Sequence, residues 1–225
     1  MGSATRRDRS EPLTRLVRFE ATDGVELSGV FYEPRRSSAR VVVYLHGTGG
    51  SSVFSSRKTN VFGAGFSARG IAFLAFDNRG SHLVRRLGDT LGGMAFERIR
   101  DCVHDIDGAL RFLRRLGYRD VTLVGHSTGA NKIAVYDFYK ERNPVRRYVL
   151  LAGGDDVGLL FDSLGARRFR SVLARARELR RSLEFAPRAI SALPMSWGSL
   201  YDMMNPDGDY NVFPFLEAMG RVRLS

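Results

Sequence analysis

The alternation of apolar and polar positions along the chain changes period several times, and each change marks an element. Leu13 to Glu20 and Val25 to Tyr32 alternate with a period of two, which predicts two half-buried strands. The Asp-Gly of Ala21-Thr-Asp-Gly24 between them predicts a tight turn, and so an antiparallel hairpin. Val41 to Leu45 and Ile71 to Phe76 are unbroken apolar runs, the pattern of strands covered on both faces, and Val121 to Val124 and Arg147 to Ala152 read as further strands. Helical patterns lie between them. Lys58 to Arg69 ends near Gly70. Phe96, Ile99, Val103, Ile106, Leu110 and Leu113 recur every three or four residues, predicting a helix from about 95 to 116 stopped by Gly117. Ala130 to Tyr139 predicts another. Four β-α units of this kind predict a doubly wound, mostly parallel α/β sheet.

After Asp156 the pattern is helical and rich in arginine, over 161–184 and 187–204, with a turn-rich break at Asn205-Pro-Asp-Gly-Asp-Tyr210. The expected organisation is a disordered polar tail (1–12), an α/β core (13–157), a helical cap over the site (158–215) and a return towards the core (216–225). Trp197, Tyr201, Met203 and Met204 are expected to pack the cap or to line a pocket beneath it.

Candidate chemistry gathers where the strands end. Val121-Thr-Leu-Val124 leads into Gly125-His-Ser-Thr-Gly129 and then into a helix; strand, G-x-S-x-G and helix in that order predict a nucleophilic serine on a strained turn. The helix start behind Ser127 supplies free N–H groups and a positive dipole end. The run 41–45 delivers His46-Gly-Thr-Gly-Gly50, a loop whose N–H groups can face a ligand closely. It lacks the G-K-[ST] ending of a phosphate loop. For acyl transfer the expected oxyanion donors are the backbone N–H groups of Thr48 and Thr128. Thr48, His82, Ser127, Asp155 and Asp156 all fall at the carboxyl ends of expected strands, where doubly wound sheets hold their sites. Glu97, Asp101 and Asp105 fall four apart on the long helix and read as a solvated acidic face paired with arginines, rather than a metal site.

Composition narrows the alternatives. A single cysteine, Cys102, excludes an internal disulfide and fits a reducing, cytoplasmic compartment. No run reaches the roughly 18 apolar residues of a membrane span, and the start has no apolar stretch of a secretory signal. The net charge of +11 is almost all arginine, the lysines being Lys58, Lys132 and Lys140. The arginines are scattered, densest between Arg167 and Arg181, and no nucleic-acid-binding motif accompanies them. Specific nucleic-acid binding is therefore not expected. No organic cofactor or metal is implied. Oligomeric state is not legible.

Taken together, His46-Gly-Thr-Gly-Gly50, Asp77-Asn-Arg-Gly80 and Gly125-His-Ser-Thr-Gly129, in this order and spacing, resemble the α/β-hydrolase fold over residues 16–218. Within it, Gly125 to Lys132 and Asn205 to Pro214 are similar to a little-characterised group of serine hydrolases. The resemblance implies a carboxylesterase-like enzyme that takes a small ester or amide as its partner and acts through an acyl-enzyme on Ser127, with an acid and then a histidine later in the chain. Asp155 or Asp156 matches an acid position used by some lipases. No histidine follows Ser127: the four are His46, His82, His104 and His126, of which only His82 shares the expected rim. The last two strands of the fold are not accounted for either. The expectations are a C-terminally truncated hydrolase chain, inactive or very slow by itself, or else a non-catalytic hydrolase-like remnant or binding protein.

Overall fold

In the computed structural model, which describes residues 13–36, 38–53 and 56–219, a six-stranded sheet runs through the molecule. Its strands are β1 (Leu13–Glu20), β2 (Glu26–Glu33), β3 (Arg40–Leu45), β4 (Ala72–Asp77), β7 (Asp120–His126) and β8 (Val145–Leu151), in the spatial order β1-β2-β4-β3-β7-β8. The Asp-Gly turn forms as the sequence pattern requires. β1 and β2 pair antiparallel from Leu13↔Glu33 to Glu20↔Glu26, and β2 joins the sheet antiparallel to β4. β4, β3, β7 and β8 are parallel. The residues between β4 and the long helix include a short hairpin of β5 (Arg85–Leu87) and β6 (Thr90–Gly92).

The apolar runs of β3 and β4 are buried on both faces because helices cover both. α1 (Ser56–Ala68) lies on one face, where Phe62 and Phe66 pack on Tyr44, Phe73 and Val42. On the other face α2 (Cys102–Arg115) and α3 (Thr128–Tyr139) bury Ile106, Leu113, Ile133 and Tyr136 against Val41, Val43, Leu74 and Leu123. β8 stands at the sheet's edge. Its Val149, Leu150 and Leu151 are each nearly two-fifths exposed. Beside it an apolar hollow of about 470 Å³ opens between α1 and the bare face of β7 and β8. Among the described residues, no helix is long and apolar enough to cross a membrane.

The long helix begins later than its periodicity predicts. Residues 99–101 form one 3₁₀ turn and α2 starts at Cys102. The residues before it are drawn off the helical path by their partners. Glu97 turns inward onto Lys132, the Ile99 N–H donates to Asp202 Oδ2 at 3.0 Å, and Ser199 Oγ donates to the Glu97 carbonyl at 2.9 Å. The expected solvated acidic face is corrected for the same reason: Glu97 and Asp105 are buried. Glu97 meets Lys132, and Asp105 receives the Arg79 backbone N–H and guanidinium at 2.8–2.9 Å.

The helical stretch expected over 161–184 divides into α4 (Asp156–Leu164) and α5 (Ala166–Glu178). Gly165 separates them at φ 72°, ψ 154°, a conformation open essentially to glycine alone. Of the stretch 187–204 only α6 (Trp197–Met204) is helical; α7 (Phe213–Met219) follows. α6 is tied to residues 94–100, and α7 packs on α3. Met203 and Met204 are buried in the main core, with Trp197 packed against it. The expected tail at 1–12 and the last residues of the expected return, 220–225, lie outside the described residues.

Candidate active site

Ser127 sits between β7 and α3 at φ 55°, ψ −131°. A β-carbon rarely adopts such a backbone, and local packing is what enforces it. The flanking glycines are required by close approach. A Cβ on Gly125 would come within 2.2 Å of the Gly129 carbonyl oxygen, and one on Gly129 within 2.3 Å of the Leu45 carbonyl oxygen. The elbow is also held from the edge strand, because the Ser127 N–H donates to Leu151 O at 2.9 Å.

The loop after β3 closes over the serine. A Cβ built on Gly47 would stand 3.3 Å from Ser127 Oγ, so the Gly47 backbone borders the hydroxyl directly. Two contacts fix the Gly47–Thr48 peptide: its carbonyl accepts from His46 Nδ1 at 2.8 Å and from the Gly50 N–H at 3.1 Å. A trans peptide then turns the Thr48 N–H the opposite way. Among the described residues neither the Thr48 nor the Thr128 N–H meets a protein acceptor. Two unspent N–H groups beside a strained hydroxyl are what an anionic tetrahedral oxygen needs. The two side chains are joined as well, Thr48 Oγ1 to Thr128 Oγ1 at 2.5 Å.

Ser127 opens into a hollow of about 320 Å³ bordered by Tyr44, the 46–51 loop, Lys58, Thr59 and His126. Below the loop, Asp77 at the end of β4 acts as its anchor, accepting from the Ser52 and Val53 N–H groups and from Ser51 Oγ. His82 faces that same carboxylate, Nε2 to Asp77 Oδ2 at 3.4 Å. It does not border the Ser127 hollow. Asp155 caps α4 by accepting from the Gly158 N–H at 2.8 Å, and Asp156 accepts from Asn131 Nδ2 at 3.0 Å. Burial pushes the Asp156 carboxyl upward. The structure therefore brings Thr48, Thr128 and Ser127 together, and it sets His82, Asp155 and Asp156 outside the hollow. No residue of 156–219 borders it.

Two groups near the elbow carry more weight than their sequence positions suggest. Lys132, five residues after Ser127, is fully buried, paired with Glu97 and donating to Asn78 Oδ1 at 3.1 Å. His46 is buried and its pKa is lowered to about 4, by burial first and then by the Lys132 charge. A neutral His46 with its proton on Nδ1 suits the bond to Gly47 O and leaves Nε2 without a partner among the described residues. The sequence signals for Lys132 were its place at the end of the Gly125–Lys132 segment and its rarity, one of three lysines among many arginines. Among the described residues no group of three or more histidine, cysteine or acidic side chains is arranged to hold a metal ion.

A mostly parallel sheet covered by helices on both faces, with a serine on a strained strand-to-helix turn, defines the class. The family model described as "Alpha/beta hydrolase family" matches residues 42–222, and the chain belongs to that family. Among curated proteins no relative matches the chain. Solved structures share the fold. The Pyrococcus furiosus esterase Pf2001 superposes with a TM-score of 0.53 at 20% identity, over 76% of this chain and 63% of its own. Est1E of Butyrivibrio proteoclasticus, with ferulic acid bound, gives 0.52 at 17%, over 65% and 57%. The α/β hydrolase GrgF from Penicillium sp. sh18 gives 0.57 at 16%, over 92% and 67%. The chain thus spans less than two thirds of the length of the first two.

Proposed function

We propose that the protein is a serine hydrolase of carboxylesterase type, cleaving a small ester or amide through an acyl-enzyme on Ser127. The observation that carries this reading is the strained Ser127 hydroxyl set beside two N–H groups, those of Thr48 and Thr128, that have no acceptor among the described residues. Esterases among the structures that share the fold agree with it.

In the proposed reaction Ser127 Oγ bonds to the acyl carbon and its proton passes to a base. The carbonyl π pair moves onto oxygen, where the Thr48 and Thr128 N–H groups stabilise it. Collapse of the adduct breaks the bond to the leaving group, which takes a proton as it departs. Water then repeats the sequence on the acyl-enzyme, releasing the acid and restoring the Ser127 hydroxyl. The described residues place no histidine–carboxylate pair in the Ser127 hollow: His46 is turned to Gly47, His82 to Asp77, and His126 has no acidic neighbour bordering the hollow. A base is therefore supplied in the test. The absence of such a pair also motivates a second reading, a hydrolase-like binding protein that performs no chemistry.

The test is release of p-nitrophenol from p-nitrophenyl acetate, with and without added imidazole, by the chain and by Ser127→Ala. Turnover that rises with imidazole and disappears in Ser127→Ala supports the hydrolase. Turnover retained in Ser127→Ala defeats it, and a folded chain that shows none in either condition favours the binding protein.

A further inference from the structure

The hydroxyls of Thr48 and Thr128 form a pair at the mouth of the same site, and one proton of that pair is left over. Each hydroxyl carries a single proton and can accept from two sides. At 2.5 Å the two oxygens share one hydrogen bond, which uses one of the two protons. Among the described residues neither hydroxyl has another protein partner. Burial distinguishes the two ends. Thr128 is 2% exposed, enclosed at the start of α3, whereas Thr48 is half-buried and borders the hollow with Ser127. The arrangement that spends both protons has Thr128 donating to Thr48 and Thr48 donating into the hollow.

We propose that the Thr48 hydroxyl is a third donor to the anionic oxygen formed when Ser127 is acylated, and that the Thr128 hydroxyl is a positioning residue that holds it there. The assignment rests on the nucleophile reading given above and deepens it. The Thr48 backbone N–H and its own side chain issue from one residue, and that residue borders the same hollow as Ser127. Charge on the substrate oxygen draws the Thr48 proton, and the Thr128 proton follows towards Thr48 Oγ1. A chain of two hydrogen bonds polarises in one direction, so the second strengthens the first. No proton is transferred along it. Its effect belongs to the tetrahedral state, where the oxygen is charged, and is small on the neutral ester. The spacing also links two segments 80 residues apart. A tie between the side chains keeps the two backbone N–H groups at a constant separation, so the site is organised before substrate arrives.

The rate at which Ser127 is phosphonylated by an alkyl fluorophosphonate reads this directly, because the phosphoryl oxygen occupies the oxyanion position. In that step Ser127 Oγ bonds to phosphorus, fluoride leaves, and the serine proton goes to imidazole in the buffer. Intact mass gives the labelled fraction against time. Ser127→Ala should not label, which establishes the site. Thr48→Val, which keeps the shape and removes the hydroxyl, should slow labelling about 10- to 100-fold, at or below the lower end of the roughly 100- to 1,000-fold cost of losing one oxyanion donor. Thr48→Ser should restore the rate to within about threefold, excluding a fold defect in the valine variant. Thr128→Val should slow labelling less than Thr48→Val, and the double variant should be no slower than Thr48→Val alone, since the second hydroxyl acts only through the first. Labelling of Thr48→Val at the wild-type rate, with Ser127→Ala still unlabelled, overturns the third donor and leaves the nucleophile standing. Equal labelling of Ser127→Ala overturns both.

Discussion

At the scale of single residues, buried charge decides most of what happens around the elbow. Lys132 and Glu97 are both almost completely enclosed and meet each other below the nucleophile helix. Removing one partner strands the other, at a cost of about 3–5 kcal/mol. Lys132→Met should therefore lower the urea midpoint sharply, whereas Lys132→Met combined with Glu97→Leu should recover much of the loss. Equal denaturation midpoints for the wild type and the single variant would refute the pairing. Asp202 and His46 give a second residue-scale prediction, because they titrate oppositely. Burial raises the Asp202 carboxyl to about 6. An acid whose folded pKa is raised contributes stability that is complete below its unfolded value, and this is lost as pH rises through about 6. Burial lowers His46 to about 4. Its contribution is present above the unfolded histidine value near 6.5 and is lost as pH falls through about 4. The two slopes oppose each other between pH 4 and 6. Asp202→Asn keeps an acceptor for the Ile99 N–H and removes one slope. Its stability relative to wild type should rise by about 2–3 kcal/mol from pH 4 to 7. A difference that stays constant over this range in chemical denaturation would count against the raised carboxyl.

At the scale of elements, the edge strand β8 is both a support and a hazard. Its Leu151 carbonyl holds the Ser127 N–H, so the elbow depends on it. Its edge, unpaired among the described residues, and its exposed Val149, Leu150 and Leu151 form a template for pairing with another chain. Leu150→Lys should reduce aggregation, measured by light scattering at increasing protein concentration, with little change in Tm. Unchanged scattering would place the sticky surface elsewhere, and the apolar hollow beside α1 would be the next region to alter. The helix boundaries teach a related point. Periodicity correctly marked the buried face of α2, where Ile106, Leu110 and Leu113 lie, but overran its start. A 3.6-residue pattern reports which face is apolar, and residues 95–98 keep that pattern while their polar atoms are bound by Lys132, Ser199 and residues near α6. Gly165 broke the next helix because its backbone, not its hydropathy, departs from the helical region.

At the scale of the whole molecule, the charge of +11 is distributed over the outside rather than concentrated in the site. The arginines of α5, Arg167, Arg168, Arg170, Arg175 and Arg177, are all exposed, and their helix buries only Phe169, Val172 and Ala176. The hollow at Ser127 meets one lysine, Lys58, and no arginine or acidic side chain. Such a field favours anionic solutes at long range but is screened by salt. The retention of the protein on a cation-exchange resin should therefore fall steeply with ionic strength. Ester turnover of an uncharged substrate such as p-nitrophenyl acetate should change less than twofold between about 50 and 500 mM salt. A larger loss would bring the surface arginines into the reaction.

The sequence by itself determined the strand order in the chain, the β1–β2 hairpin, the doubly wound class and the positions of Thr48, Ser127 and Thr128. These follow from local chemistry: apolar runs need burial, Asp-Gly permits a tight turn, and Gly-x-Ser-x-Gly between a strand and a helix forces a sharp elbow. What the tertiary structure decided was partnership. Lys132 finds Glu97, Asp77 gathers the loop and His82, Thr48 meets Thr128, and Asp155 turns to cap its own helix. Apart from Asp77 with His82 and Asp155 with its own helix, none of these pairs shares a period or a neighbourhood in sequence. Each exists because the parallel strands deliver distant loops to one rim, where a buried polar group is stable only once another has arrived to satisfy it.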